Sequence, residues 1–245
     1  MTIKYFQKGF NYSQDGPGNR LVYHLHGCNM KCPWCSNPEG MKADKTYPAF
    51  PITEVSVEDM LAEILSCKPM FFDGGGITLT GGEVTLQTAA VKLLLEKLKV
   101  EDINTAIETN ALSPTLPELF PHLDHLIMDV KSANSEKLLS VTGAVLEPII
   151  KNLSAAADSG LDILVHVPLI NGFNADEADT DLLLETLSPF KDKIRIEFLA
   201  YHEYGKDKWK QCGLVYAMEN ANISTECYKN TVNKFKAAGF TVVRT

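Results

Sequence analysis

Residues 21–35 read LVYHLHGCNMKCPWC, an apolar run that leads within a few residues into three cysteines. The run Leu21–Leu25 has the length and composition of a buried strand. Cys28, Cys32 and Cys35 fall within eight residues, while the other three cysteines are scattered at 67, 212 and 227. A thiol cluster just past a strand predicts a ligand-binding loop at that strand's carboxyl end.

Apolar runs of strand length recur along the chain and alternate with apolar residues at helical spacing. The further runs are at 77–79, 105–107, 126–128, 163–167 and 194–199, and the helical stripes are at 57–65, 91–98, 153–157, 183–187 and 228–235. Ser56 and Asp59 mark the start of the first helix, and Gly160 follows the third. Continuous apolar strands between helices predict an α/β fold with a parallel sheet, either open or curled toward a barrel.

Length and composition are those of one globular domain. The chain has 245 residues, 45% of them hydrophobic and 22% charged, which excludes collagen-like, coiled-coil and disordered proteins. A chain of this length can bury a core without disulfides or a structural metal. No linker-like or repeated segment divides it, so we expect a single domain over residues 1–245 with irregular loops at 37–53 and 205–225.

Charge and hydropathy exclude two classes of partner. With a net charge of −8, the protein lacks the excess of basic residues that nucleic-acid binding usually needs. No apolar run approaches the ~18 residues of a membrane span, and the start MTIKYFQKGF is unlike a signal peptide. We therefore expect a cytoplasmic protein, in which six cysteines are not a disulfide framework.

Polar side chains gather where the predicted strands end. They are Gly81, Gly82 and Glu83 after the second strand, Glu108, Thr109 and Asn110 after the third, Asp129 and Lys131 after the fourth, His166 and Pro168 after the fifth, and Tyr201 and His202 after the sixth. The carboxyl ends of parallel strands meet at one edge, so these groups and the cysteines predict one shared pocket.

Three chemistries fit the cysteine triplet. Three thiolates can hold an iron–sulfur cluster that keeps one iron open. His24 or His26 could complete a Cys3His zinc site, and Cys32 with Cys35 could be a redox pair that leaves Cys28 unexplained. The spacing alone leaves all three open.

The triplet, with Trp34 just before its last cysteine, resembles the signature of the radical S-adenosylmethionine superfamily. The resemblance implies a [4Fe–4S] cluster held by three thiolates. The fourth iron would chelate the amino and carboxylate groups of S-adenosylmethionine. Cleavage of that molecule would give methionine and a 5′-deoxyadenosyl radical.

A narrower resemblance covers nearly the whole chain. The segments 15–20 (DGPGNR), 80–83 (TGGE), 108–110 (ETN), 129–131 (DVK) and 201–206 (YHEYGK) resemble the glycyl radical enzyme activating enzymes, most of all those that act on pyruvate formate-lyase. This resemblance implies an incomplete (β/α)6 barrel with one cluster and no ferredoxin-like insert. It also implies a monomer that receives its electron from flavodoxin or ferredoxin and abstracts hydrogen from a glycine of a partner enzyme.

The resemblance also assigns residues. The implied cofactor contacts are Trp34, Ser36, Gly81, Gly82, Glu83, Asp129, Lys131, His166 and His202, and Glu108, Thr109 and Asp129 are implied ligands of a monovalent cation. Asp15, Gly16, Pro17 and Gly18 would meet the partner's glycine loop from a position beside the cluster. The simpler interpretations are a tight turn for each glycine segment, an exposed ion pair for Asp129 and Lys131, and core packing for Trp34.

The chain departs from the family's usual residues at three positions. Asn19, Glu108 and His166 stand where an apolar residue, Asp and Arg are usual. These differences leave the partner's identity open. Two rival functions are a radical enzyme acting on a small molecule, such as a carboxydeazaguanine synthase, and a zinc-binding adaptor without catalysis.

Overall fold

The structure is a computed structural model that describes residues 1–42 and 44–244. Its strands are β1 (Thr2–Tyr12), β2 (Asn19–Leu25), β3 (Thr53–Ser56), β4 (Gly76–Gly81), β5 (Asn104–Thr109), β6 (His125–Asp129), β7 (Asp162–Leu169), β8 (Ile194–Ala200) and β9 (Thr241–Val242). Its α-helices are α1 (Val57–Ser66), α2 (Thr88–Val100), α3 (Ser135–Thr142), α4 (Leu146–Ser159), α5 (Glu177–Leu187), α6 (Lys206–Gln211) and α7 (Thr225–Ala237).

The nine strands of the described residues form one sheet in the order β3-β1-β2-β4-β5-β6-β7-β8-β9. The strands from β2 through β9 in this order are parallel, while β1 pairs antiparallel with both β2 and β3. The sheet does not close, because β3 and β9 remain its two edges. Strands β2 and β4 to β8 are the six predicted strands, so the predicted incomplete (β/α)6 barrel is confirmed.

The predicted helices form for the expected local reasons. The Ser56 hydroxyl accepts the Asp59 amide at 3.0 Å and caps α1. Gly160 ends α4 with φ +81°, a conformation that costs glycine little. The hairpin strand β1 and the edge strands β3 and β9 were not predicted.

Helix α6 corrects the expectation of an irregular loop over 205–225. This helix is only six residues long, and Trp209 is its one buried residue. So short a polar helix has no apolar stripe and therefore no periodic pattern that would predict it.

Strand alternation gives the barrel a polar interior. On β4, Ile77 and Leu79 belong to the hydrophobic core, while Thr78 and Thr80 alternate with them and face the other side. The interior side also receives the buried polar side chains of other strands, such as His166 on β7. A polar interior predicts a barrel built to hold a polar ligand.

All nine strands belong to one sheet, which supports the single-domain organisation over residues 1–245; that organisation remains a prediction. Among the described helices, none combines the length and the hydropathy needed to cross a bilayer.

Arg20 ties the β1–β2 hairpin to the amino ends of the neighbouring strands. Its guanidinium is fully buried and donates to Thr78 Oγ1 and to Asn104 Oδ1, both at 2.8 Å. It also donates to the carbonyl of Pro17 at 3.2 Å. Burial lowers the pKa of Arg20 to about 10, so the hydrogen bonds hold a charge that is costly to bury.

We predict that Arg20→Met lowers the free energy of unfolding by about 3 kcal/mol, because its buried acceptors lose a charged donor. The matched control is Arg195→Met, which removes an exposed pair with Asp162 at 2.7 Å and costs less than about 1 kcal/mol. Urea unfolding of both variants measures the difference. Equal losses in the two variants would contradict this account of Arg20.

Candidate functional site

A cavity of about 230 Å³ opens at the carboxyl ends of the parallel strands. Among the residues predicted for the site, those that line it are Cys28, Cys32, Trp34, Cys35, Ser36, Gly81, Gly82, Glu108, Thr109, Asn110, Asp129, Lys131, Pro168, Tyr201 and His202. Glu83 and His166 are buried behind the cavity wall and do not line it. The structure thus brings the cysteines, the glycine turn and the strand-end charges into one pocket.

The cysteine loop presents buried thiols with amide donors. The amide of Met30 donates to Cys28 Sγ, and the amide of Asn37 to Cys35 Sγ, both at 3.4 Å. Burial raises the pKa of Cys32 and of Cys35 to about 12. Thiols in such surroundings keep their protons until a metal displaces them, and the amide donors then stabilise the thiolates.

The three thiols do not form the closed site of a single zinc ion. A tetrahedral zinc site, with Zn–S bonds of about 2.3 Å, holds its sulfurs roughly 4 Å apart. Among the described residues, the one group of three histidine, cysteine or carboxylate ligand atoms within 4.8 Å of one another is Glu108, Asp129 and His166. The three cysteines instead line the cavity, as a cluster that keeps one iron open to a ligand requires.

The glycine turn after β4 packs directly on the residues that precede the cysteines. Gly81 has φ +106°, and a Cβ on it would lie 2.5 Å from the backbone of His24. A Cβ on Gly82 would collide with the carbonyl of Gly27. Both residues must therefore be glycine for the turn to lie against this backbone, whatever ligand it also contacts.

Glu83 fixes this turn from inside the protein. Its fully buried carboxylate accepts the amide of Thr85 at 3.0 Å, the hydroxyl of Thr109 at 2.7 Å and the amide of Asn110 at 2.8 Å. These bonds join β4 to the end of β5. These bonds support a role for Glu83 in fixing the turn, whereas the cofactor contact expected for it has no geometric support.

Asp129 and Lys131 form an ion pair at the cavity wall. Lys131 Nζ lies 2.8 Å from Asp129 Oδ2, and the side chains are 13% and 19% exposed for Lys131 and Asp129, respectively. Burial disfavours the charged lysine, but the charges of Asp129 and its neighbours outweigh burial and raise the pKa of Lys131. The ammonium is therefore charged and lines the cavity, where it can meet a carboxylate.

His166 lies inside the barrel between two carboxylates. Its Nδ1 is 3.4 Å from Glu108 Oε1 and its Nε2 is 3.5 Å from Glu197 Oε2. Burial opposes the charged imidazole, but these carboxylates outweigh it and raise the pKa of His166 to about 10. His166 thus neutralises acidic groups behind the cavity and is not placed to contact a ligand in it.

Two of the three predicted cation ligands lie close together. Ligand atoms of Glu108 and Asp129 lie within 4.8 Å of each other, and His166 is beside them. The Thr109 hydroxyl instead donates to Glu83. A monovalent cation held by Glu108, Thr109 and Asp129 therefore remains a prediction, with no side-chain support from Thr109.

Aromatic residues border the cavity on both sides. Trp34 packs on Phe173 with ring centroids 4.8 Å apart, and His202 stacks on Tyr204 at 4.1 Å. Burial lowers the pKa of His202, which favours its neutral form. Flat, uncharged rings at the rim suit an adenine base.

Sequence reasoning placed Asn110 at the pocket without assigning it a role, and it did not select Thr80 as a site residue. Asn110 Nδ2 donates to Asn29 Oδ1 at 2.7 Å and lies 3.8 Å from Cys28 Sγ. Thr80 lines the cavity and donates to Glu108 at 2.5 Å. Both residues occupy strand ends already noted as polar, and that position was the available signal.

The segment Asp15–Gly18 lies at the opposite end of β2 from the cysteines. Seven strand residues at about 3.3 Å each separate the two ends by roughly 20 Å. A Cβ on Gly18 would lie 2.5 Å from the carbonyl oxygen of Asp73, next to the amino end of β4. The expectation that this segment lies beside the cysteines is wrong, because β2 runs between them. Its binding of a partner stays a prediction.

The Asp15 side chain nevertheless belongs to the barrel interior. Its carboxylate accepts a hydrogen bond from Asn11, and its own carbonyl accepts the Thr78 hydroxyl at 2.6 Å. Burial, followed by the charge of Glu108, raises the pKa of Asp15 to about 6. Asp15 and the cavity therefore face the same polar interior from opposite ends.

Comparison with known proteins agrees with this site. The family model of the radical SAM superfamily matches residues 22–184. The pyruvate formate-lyase-activating enzyme of Staphylococcus epidermidis is 32% identical over 215 residues, which is 84% of each chain. A radical SAM methyltransferase from Sphaerobacter thermophilus shares the fold, with TM-score 0.67 over 96% of this chain and 67% of its own, at 13% identity.

The chain therefore belongs to the radical SAM superfamily, and it is a radical SAM enzyme whose cofactors are a [4Fe–4S] cluster and S-adenosylmethionine. Within that class it is similar to the pyruvate formate-lyase-activating enzymes. A solved domain of one of these, from Bacteroides vulgatus, superposes with TM-score 0.58 at 26% identity and covers 69% of this chain and 98% of that one.

We predict that Gly82→Ala abolishes binding of S-adenosylmethionine to the reconstituted protein. The added Cβ would collide with Gly27 and push the turn away from the cysteine loop. Gly9→Ala is the matched control, because a Cβ there has nothing within 4 Å. Calorimetric titration measures both, and a Gly82→Ala protein that binds like Gly9→Ala would refute the close-approach argument.

A second prediction concerns Asp15. Because its folded pKa is above its unfolded value, the folded state binds more protons, and stability falls as pH rises from about 4 to 6. Asp15→Asn removes this cost, which is at most about 3 kcal/mol above pH 6. Chemical unfolding at pH 4 and pH 8 should show the variant more stable than wild type only at pH 8. A variant destabilised at pH 8 would contradict the assignment.

Proposed function

We propose that the protein activates a glycyl radical enzyme, taking a hydrogen atom from a glycine in a partner enzyme of the pyruvate formate-lyase type. The observation that carries the proposal is the 32% identity to a pyruvate formate-lyase-activating enzyme over 84% of both chains. So long a match includes more of the chain than cofactor binding alone requires. The interior position of the Asp15 carboxylate supports it.

Three thiolates, those of Cys28, Cys32 and Cys35, hold the cluster in this proposal. When bound, the cluster supplies one electron that cleaves the sulfonium of S-adenosylmethionine into methionine and the 5′-deoxyadenosyl radical. The protein's own contribution is to fix the reacting groups close together and to exclude water from them.

The cavity walls would orient S-adenosylmethionine. The charged Lys131, held by Asp129, would meet a carboxylate, and the backbone at Gly81 and Gly82 would meet the methionyl amino group. Trp34 and His202 line the cavity and would contact the adenine. Ser36 lines the same cavity and would be a further contact.

The radical then removes a hydrogen atom from the glycine Cα, so that the products are 5′-deoxyadenosine and a glycyl radical. A polypeptide loop can enter this barrel because the sheet is open between β3 and β9. The Asp15 carboxylate would accept hydrogen bonds from amide groups of the loop. These bonds would stabilise its charged form, which burial disfavours by raising the pKa of Asp15. Gly16, Pro17 and Gly18 shape the turn that presents it.

The remaining parts of the proposal rest on the resemblance to the activating enzymes and on composition. The electron comes from reduced flavodoxin or ferredoxin, and the protein works as a monomer. Its six free cysteines suit a reducing compartment, and we place it in the cytoplasm. Glu108 and Asp129, whose carboxylates lie close together, would with Thr109 be the ligands of a monovalent cation.

The decisive experiment is anaerobic incubation of the reconstituted protein with S-adenosylmethionine, a reductant and pyruvate formate-lyase, followed by electron paramagnetic resonance. We expect a glycyl radical doublet and one 5′-deoxyadenosine per radical. Replacing any one of Cys28, Cys32 and Cys35 with Ser should abolish both, because each supplies one thiolate.

Asp15→Asn separates partner binding from cofactor cleavage. This variant should still form 5′-deoxyadenosine under strong reduction but should yield the glycyl signal at least tenfold more slowly. Release of 5′-deoxyadenosine without a glycyl signal from any candidate partner would overturn the proposal and favour a small-molecule substrate, as in a carboxydeazaguanine synthase. A colourless protein that holds zinc and leaves S-adenosylmethionine intact would favour an adaptor.

A further inference from the structure

Helix α6 packs on the loop that carries the last cysteine of the triplet. Trp209, buried within the helix, donates its Nε1–H to the backbone carbonyl of Cys35 at 2.8 Å. The two residues are separated by 174 positions in the chain. The contact therefore joins the carboxyl-terminal part of the protein directly to a cluster ligand.

Two further contacts bring α6 onto the same loop. A Cβ on Gly205 would collide with the carbonyl oxygen of Cys35 and lie 2.8 Å from Ser36 Cα. Lys208 Nζ donates to Asn37 Oδ1 at 2.9 Å and to Glu39 Oε1 at 2.6 Å, where Glu39 is only 1% exposed. The helix thus holds the loop at three points: the Cys35 carbonyl and the side chains of Asn37 and Glu39.

The loop has little regular structure of its own to fix these positions. In the described part of the segment between β2 and β3, the one helical element is a 3-10 turn over Pro38–Gly40. Cys35 itself has one local backbone bond, from its amide to the carbonyl of Cys32 at 3.2 Å. The loop's further bonds lie at its base, from the amides of Gly27 and Cys28 to the carbonyls of Gly40 and Met41, and at the Cys35 thiol, which accepts the Asn37 amide. The Cys35 carbonyl is held from outside this loop, by Trp209.

We propose that Trp209, with Gly205 and Lys208, is a positioning residue for the cluster, acting through the backbone of Cys35. The segment 201–206 contacts the ligand cavity with its first half, while Gly205 and the helix that follows fix a cluster ligand. This inference rests on the cluster held by the three cysteines and is independent of the partner enzyme, so it can fail while the activase proposal stands.

The first test uses the apoprotein and hydrogen exchange. Trp209→Phe keeps the aromatic ring but removes one hydrogen bond, which is worth about 1 kcal/mol, so amides over residues 32–40 should exchange about fivefold faster. The matched control is Tyr228→Phe, which removes a hydrogen bond of the same kind, from Tyr228 to the carbonyl of Phe198 at 3.1 Å, far from the cysteines. The control should leave residues 32–40 unchanged.

The second test uses the reconstituted protein. Trp209→Phe should lose iron to a chelator about fivefold faster than wild type or Tyr228→Phe, and the g-values of its reduced cluster should shift while the melting temperature stays within about 3 °C. Gly205→Ala should act in the same direction and more strongly, since its Cβ displaces the Cys35 carbonyl. A purely structural role for Trp209 would lower the melting temperature without moving the g-values.

Two results would overturn the proposal. One is equal exchange over residues 32–40 and equal iron loss in Trp209→Phe and Tyr228→Phe. The other is faster exchange spread over the whole protein in Trp209→Phe, which would mean a general loss of stability. Because neither measurement requires a partner protein or a glycyl radical, they leave the activase proposal to its own test.

Discussion

The close approach of two backbone segments holds this site together. Gly82 donates its amide to the carbonyl of Leu25 at 2.8 Å, and the amide of Glu83 donates to the carbonyl of Gly27 at 2.6 Å. These bonds continue the parallel pairing of β2 with β4 past the ends of both strands. The cysteine loop and the glycine turn therefore form as one unit, which the buried carboxylate of Glu83 extends to β5.

Charge balance inside the barrel rests on His166 and the two carboxylates beside it. His166 Nδ1 lies 3.4 Å from Glu108 Oε1, and its Nε2 lies 3.5 Å from Glu197 Oε2. The charged imidazole of His166 thus lies buried between two carboxylates. Thr80 also donates to Glu108 and holds it at the cavity wall.

Sequence patterns predicted the parts of the fold that depend on neighbours along the chain. The alternation of apolar runs and helical stripes identified all six central strands, and Ser56 and Gly160 marked helix ends where the structure has them. The hairpin strand β1 and the short helix α6 were not predicted, because their stability comes from pairing and packing with distant residues. A six-residue polar helix has no period to detect.

The sequence by itself determined the chemistry of this protein: the triplet of Cys28, Cys32 and Cys35, the strand-end charges and the α/β class follow from residue types and spacing. Only the tertiary structure decided which side of the barrel each group faces. It buried His166 behind the cavity, turned Thr109 toward Glu83 and separated Asp15–Gly18 from the cysteines by the length of β2. The side of the sheet that a side chain faces, and its distance from other site residues, depend on how remote strands pair. Spacing along the chain does not determine that pairing.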